Sequence, residues 1–129
     1  MAVRPIITVT EGPTRSGVCG SVSLEGKEGY CVKQDTDGTY IICSSQGEVG
    51  FLLVHGAAIG KNITIALPGC SFMGKVSEAV TTYNKEMTTG SGALLEAAAT
   101  GDFVVLTSCT LATASGDFIE GITHLYSKV

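Results

Sequence analysis

Short runs that alternate apolar with small or polar residues follow one another along most of the chain, separated by glycine-containing turns. Such alternation is typical of strands with one buried face. The Asp37-Gly38 pair lies between two such runs and predicts a hairpin, because both residues tolerate the positive φ angles of a tight turn. We predict strands at residues 18–24, 29–33, 39–43, 49–54, 62–67, 72–80, 103–107 and 118–125.

Residues 93–99 are rich in good helix formers (Ala93-Leu94-Leu95-Glu96-Ala97-Ala98-Ala99). The run is short for an isolated helix, so we predict a strand there. Residues 85–92 are polar and contain glycine, and no strand is assigned to them. The predicted fold class is therefore all-β, or β with one short helix, in a small β-barrel or β-tulip-like domain.

The order of signals in the first half of the chain recurs in the second. Gly38 and Gly47 have the same separation as Gly92 and Gly101, and an alanine-rich turn follows each pair of strands. Two interpretations remain open: an internal duplication, or chance similarity between two β-meanders.

The N-terminal residues 1–15 are predicted to form an extended arm, and residues 16–129 a single β-rich domain. The arm carries a β-prone run, Ile6, Ile7, Thr8 and Val9, flanked by proline and glycine. These four residues are the candidate partner-binding site. They form either an edge strand of their own domain or an arm laid on a neighbouring molecule.

Composition narrows the function classes. Of the 129 residues, 44% are hydrophobic and only 16% are charged, which favours surfaces covered by an oligomer or a partner. The net charge of −4 and the scattered basic residues argue against nucleic acid as a partner. No apolar stretch is long enough to cross a bilayer, and the N-terminus has no signal-peptide core, so synthesis in the cytoplasm without export is expected.

The sequence shows no catalytic constellation, and we predict no enzymatic activity, cofactor or metal. The five cysteines are expected to be reduced and buried, and they lack the spacing of a zinc site. His55 and His124 stand alone in strand patterns, and there is no Gly-x-Ser-x-Gly nucleophile elbow. Asp35 and Asp37 are explained by the turn in which they lie.

One short element leaves an enzyme as an alternative. Thr14-Arg15-Ser16-Gly17 is similar to the Arg-Ser-Gly element of the trimeric dUTP pyrophosphatases, which are also β-rich. The other signatures of that family, an Ile-Asp-x-x-Tyr segment and a glycine-rich C-terminal Phe motif, are missing. A trimeric β-rich nucleotide hydrolase is therefore a second hypothesis, which thermal stabilisation by nucleotides would test.

The order of elements resembles the small head-decoration, or capsid-cement, proteins of tailed bacteriophages. The resemblance lies in Asp37-Gly38, Gly47-Glu48-Val49-Gly50, Ala57-Ala58 and residues 63–69, which recur as Gly92, Gly101-Asp102-Phe103-Val104, Ala112-Thr113-Ala114 and Gly116-Asp117-Phe118-Ile119. It implies a structural virion protein on the capsid surface, made in the host cytoplasm and often trimeric. Its partner would be the major capsid protein, whose neighbouring subunits it cements by binding the assembled lattice and not the separated subunits.

A third hypothesis is a receptor- or glycan-binding head of a phage fibre. Glycan sites usually need exposed aromatic side chains, and this chain has no tryptophan and four tyrosines. The composition therefore ranks this hypothesis below the first.

Overall fold

The computed structural model describes residues 11–129, and the candidate residues Ile6, Ile7, Thr8 and Val9 lie outside that range. The described part is almost entirely β-structured, which confirms the predicted fold class. Its strands are β1 Thr14–Val18, β2 Cys31–Gln34, β3 Tyr40–Ile42, β4 Phe51–His55, β5 Asn62–Ala66, β6 Ser71–Lys75, β7 Glu86–Thr89, β8 Leu95–Ala97, β9 Phe103–Ser108 and β10 Phe118–Ser127, and a 3₁₀ turn spans Ser91–Ala93.

The two halves of the chain build the same sheet. The first five strands pair in the order β1-β5-β4-β2-β3, and the next five pair in the order β6-β10-β9-β7-β8. Each strand of the first half therefore has a counterpart in the second, in the same place. Of the two interpretations left open by the sequence, this repeated order supports an internal duplication.

The register of the ladders matches as well. Cys31 pairs with Leu52 across β2 and β4, and Glu86 pairs with Thr107 across the equivalent strands β7 and β9. Just after its first strand, each half has a parallel bridge between its two outer strands, which joins Cys19 to Tyr40 in the first half and Val76 to Leu95 in the second. Each sheet is thereby curled towards a small barrel.

The interior of each half is filled from equivalent positions. Val32 is buried in the first half where Met87 is buried in the second. The first strand of each half contributes a glycine, because a side chain there would collide with Tyr40 in the first half and with Leu95 in the second. The glycine thus makes room for one large interior side chain from another strand.

The outer wall of the first half joins the two halves. Leu52 and Cys31 point away from the interior of the first half, yet both are fully buried in a cluster that includes Leu95. A side chain at Gly74 would meet Leu95 and Leu52 together, so the wall of the first half lies against the interior of the second. This contact makes one continuous core across the junction.

The strand pattern of the sequence is wrong at several places. β1 ends at Val18, and residues 19–24 form an isolated bridge, a bend and loop instead of a strand, because the chain leaves the sheet there to bury Leu24 against the interior. β6 ends at Lys75, so residues 76–80 are not part of the strand predicted over 72–80. Conversely, residues 86–89 form β7, in which Met87, Thr88 and Thr89 are all buried. Threonine is β-branched and packs well in strands, which favours β7. The polarity of the segment pointed the other way, and no strand was predicted there.

The cysteine prediction holds for four of the five residues. Cys19, Cys31, Cys43 and Cys70 are buried free thiols, and Cys109 is free but exposed.

Among the described residues, no helix is long and apolar enough to span a bilayer.

Candidate functional site

The first strand of each half borders an opening in the sheet, which we call the seam. In the second half the seam is filled by residues of the first half. Ser71 on β6 exchanges two backbone hydrogen bonds with Glu11, at N···O distances of 3.2 and 2.6 Å, and the Lys75 N–H donates to the Gly29 carbonyl at 3.0 Å. Residues of the first half therefore occupy the outer edge of β6 at both ends, as an antiparallel bridge at Glu11 and as a turn at Gly29.

The seam of the first half is open. The Pro13 carbonyl accepts a bond from the Leu67 N–H, and the Cys19 N–H donates to the Lys61 carbonyl. Because antiparallel ladders alternate, the N–H and C=O groups of Thr14 and Ser16 point to the opposite side, away from β5. Within residues 11–129, β1 pairs with β5 alone.

The side chains around the open seam are exposed. Thr14, Arg15 and Ser16 are all exposed on β1, and Gln34 is exposed on β2. Inside the seam lies Tyr40, of which only 4% is exposed. The equivalent interior residue of the second half is Leu95, which leaves room for Leu52 of the first half. Tyr40 fills the interior of its own half. Leu52 enters the second half beside Leu95, and no described residue enters the first half in the same way.

Exposed aliphatic side chains lie at one end of the open seam. Val18 is 40% exposed, Val22 is 54% exposed and Ile59 is 58% exposed. They are neighbours through Cys19, whose thiol approaches the Val22 carbonyl and whose own carbonyl accepts the Gly60 N–H. The position of Val18 is taken by a lysine, Lys75, in the second half, so the fold does not require an aliphatic residue there.

The outer wall of the second half is polar where that of the first half is apolar. Glu86 replaces Cys31, and its carboxylate accepts a bond from the Tyr126 hydroxyl at 2.8 Å and forms an ion pair with Lys128 at 3.3 Å. The bond from Tyr126 and the cation of Lys128 hold the pKa of Glu86 below its ordinary value. The C-terminal residues of the chain thus cover this wall with charge and hydroxyl groups.

The residues considered for catalysis are not assembled into a site. Asp35 and Asp37 lie in the exposed β2–β3 hairpin, where Asp37 accepts bonds from the Thr39 hydroxyl and N–H; these bonds lower its pKa. His55 is exposed at the end of β4, and His124 stacks edge-on against Tyr126 in the other half. Within residues 11–129 there is no group of three or more histidine, cysteine, aspartate or glutamate residues that could hold a metal.

The buried thiols are chemically quiet. Burial raises the pKa of Cys31 to about 12, and burial followed by the nearby Glu48 charge raises the pKa of Cys43 to about 12. Nucleophilic attack requires the thiolate. These thiols are therefore core packing groups at neutral pH.

Sequence reasoning did not identify the open seam. It placed Thr14 and Arg15 in the arm and began the first strand at Val18, four residues after the true start. The signal was the alternation of β1 itself, in which Gly17 faces the interior between the exposed residues Ser16 and Val18. A glycine hides this period because it carries no side chain to mark the buried face.

Comparisons with known proteins are informative at the level of the fold. No protein-family model matches the chain, and no curated protein is similar to it in sequence. The crystal structure of the N base of the head fibre gp8.5 of bacteriophage phi29 superimposes with a TM-score of 0.64 at 10% sequence identity. The match covers 94% of this chain and 98% of that chain. It shows that the two chains share a fold over almost their whole length.

Proposed function

We propose that this chain is a structural protein of a bacteriophage head, without catalytic activity, which binds the outside of the assembled capsid and cements neighbouring major-capsid-protein subunits. The observation that carries the proposal is the shared fold with the base of a phage head fibre. The order of glycine, alanine and acidic elements along the sequence independently resembles the head-decoration proteins.

The surface of the described residues suits a binding role. An open strand edge at Thr14 and Ser16 offers backbone donors and acceptors, and exposed aliphatic residues lie beside it. Both are features of surfaces that other chains cover. On a shell, many copies act at once, so a small interface per copy is sufficient.

Cosedimentation tests this function. The purified chain is mixed with assembled shells of its cognate coat protein and, in parallel, with the same coat protein in dissociated form. We expect the chain to pellet with shells until it saturates and to show no binding to separated subunits. Shells that carry it should resist disruption by heat or denaturant longer than bare shells, because binding restricted to the assembled state stabilises that state. Failure to pellet with shells would falsify the proposal.

The comparison favours a second role on the same surface, in which the chain anchors a fibre to the head. The phi29 chain that it matches is the base of a head fibre, and the whole of that base is covered. The disruption assay distinguishes the two roles. A cement protein raises the temperature or denaturant concentration at which shells break, whereas a fibre base binds shells and leaves that threshold unchanged.

A further inference from the structure

We propose that the open seam of the first half accepts residues 6–9 of a second copy of this chain as an added strand, antiparallel to β1. The inference concerns contacts between copies and does not depend on binding to a capsid. It assigns a specific acceptor to the Ile6, Ile7, Thr8 and Val9 run.

The filled seam shows what the open seam can bind. Thr14 and Ser71 are equivalent, since each is the first residue of its half's first strand and stands three residues before the interior glycine, Gly17 or Gly74. Ser71 pairs antiparallel with Glu11, a residue that directly follows the arm. The same position on β1 therefore has the geometry to pair with a short extended segment, and in residues 11–129 it has none.

The unpaired groups match the length of the run. Thr14 and Ser16 each direct one N–H and one C=O away from β5, which is the edge that a strand of about four residues covers at ~3.3 Å per residue. Apolar side chains on that strand would meet Tyr40 within the seam and Val18 at its end. Addition of a strand to an exposed edge is a common mode of peptide recognition.

Residues 11–13 of the chain are held away from the open seam. Glu11 pairs with Ser71 on β6 of the second half, and the Pro13 carbonyl accepts the Leu67 N–H. A hairpin that brought the preceding residues back along β1 would need residues 11–13 as its turn, and these residues instead connect the edge of β6 to β1. The proposed occupant is therefore the segment of a second copy, in a closed ring or in a reciprocal exchange.

The first test measures solution mass by light scattering across a concentration range. We expect the full chain to have at least twice the mass of one chain at high concentration. Deletion of residues 1–10 should reduce it to the mass of one chain, and so should Ser16→Pro, which removes an outward N–H without touching a bond to β5. The matched control Ser16→Ala keeps that N–H and should assemble as the unchanged chain does.

A full chain with the mass of one chain at every concentration overturns the inference, and so does an assembly that survives deletion of residues 1–10. Neither result bears on shell binding, which is measured separately. Thermal unfolding of each variant guards against a mass change caused by misfolding. The variant Val18→Lys provides a second check on assembly. It should fold, because the equivalent position already carries Lys75 in the same fold, and it should assemble less than the unchanged chain.

The second test adds the arm as a separate molecule. A fluorescent peptide of residues 1–10 is titrated into the chain that lacks them, and binding is followed by anisotropy. We expect saturable binding that Ser16→Pro weakens by about tenfold or more and Ser16→Ala leaves unchanged. Absence of binding, or equal binding to the two variants, would show that the seam is not the acceptor.

Discussion

The first and second halves of this protein share one fold but treat its surfaces in opposite ways. The outer wall of the first half is apolar and buried at Leu52, whereas the wall of the second is polar at Glu86 and covered by the C-terminal residues. Among residues 11–129, the outer edge of β6 is bound by residues of the first half, whereas the outer edge of β1 at Thr14 and Ser16 is open. Features that both halves share are those that the fold requires. Surfaces at which the halves differ are therefore not determined by the fold alone.

The arrangement also explains why a third copy of the half would not stack on the second in the same way. The wall of the first half fits the seam of the second, and the same contact would need an apolar wall on the second half. Glu86 and Thr107 occupy the positions of Cys31 and Leu52, so that wall does not fit a seam. Repeat proteins likewise end in units whose outer face is polar. The open seam therefore needs a different occupant.

The strongest test of the comparison is the wall position itself. Leu52→Ala removes a fully buried side chain at the junction, and we expect a loss of about 3 kcal/mol in the free energy of unfolding, from the lost burial and the cavity. Thr107→Ala, at the equivalent half-buried position, should cost less than about 1 kcal/mol. Urea unfolding of both variants measures this difference, and equal losses would contradict the assignment of the junction.

A second pair of variants tests the turns before β4 and β9. Gly47 and Gly101 both have positive φ angles, 77° and 93°. Gly101→Ala meets open space and should cost about 1 kcal/mol through backbone strain alone. Gly47→Ala adds a collision with Asp102 of the other half, so we expect about 2 kcal/mol. Equal costs in a thermal unfolding assay would mean that Asp102 moves aside freely.

Turns and strands were predictable from sequence to different degrees. The paired glycines stood at the same separation in both halves because both turns need the left-handed backbone conformation that glycine adopts without cost. Most strands also followed from local alternation. By contrast, β7 was missed because Thr88 and Thr89 are polar residues buried by the rest of the fold, and local pattern carries no information about such burial.

The seam lay beyond sequence reasoning for a different reason. Whether an edge is covered depends on which half lies against which, and the local sequence of β1 or β6 carries no information about that. The edge of β6 is covered by Glu11 and Gly29, and both residues come from a distant part of the chain. The arm, in contrast, was recognised from Ile6 to Val9 by composition alone and remains a prediction.

Buried threonines offer a stabilising change. The hydroxyl oxygens of Thr88 and Thr89 are buried without a nitrogen or oxygen partner, although Thr89 lies beside the Cys31 and Cys43 thiols, which are weak partners. Thr88→Val keeps the shape and should raise the free energy of unfolding by up to about 1 kcal/mol.

The control for this change is Thr123→Val. The Thr123 hydroxyl donates to the Leu67 carbonyl at 2.6 Å and accepts the Cys70 N–H at 2.9 Å, so its loss should destabilise by about 1 kcal/mol. In the first half, Lys33 stands at the position of Thr88, and its ammonium group reaches Glu48 on the surface. The two halves therefore differ at this position: a paired cation in the first and a buried hydroxyl in the second. A destabilised Thr88→Val variant in denaturant unfolding would reveal a partner for its hydroxyl.

The smallest expected effect concerns the Lys33–Glu48 ion pair of the first half, where the second half has Thr88 at the position of Lys33. Glu48 accepts the Ser44 and Ser45 N–H groups at 2.7 Å each and pairs with Lys33 at 2.9 Å. Partial burial acts to raise the pKa of Glu48, but the bonds from Ser45 and Lys33 outweigh it and lower the pKa below 4.5. Since the folded pKa is the lower one, this stabilisation is present above pH 4.5 and is lost as pH falls through the folded value.

Glu48→Gln should therefore reduce the free energy of unfolding by about 0.5 kcal/mol at pH 7, a value discounted for solvent screening. At a pH below the folded pKa of Glu48 the variant and the unchanged chain should be equally stable, because both then carry an uncharged side chain there. Lys33→Gln separates the ion pair from the two N–H bonds, which it leaves intact. A Glu48→Gln effect that persists unchanged into acid would assign the stabilisation to hydrogen bonding alone, and the charge difference between the two halves would then have no part in stability.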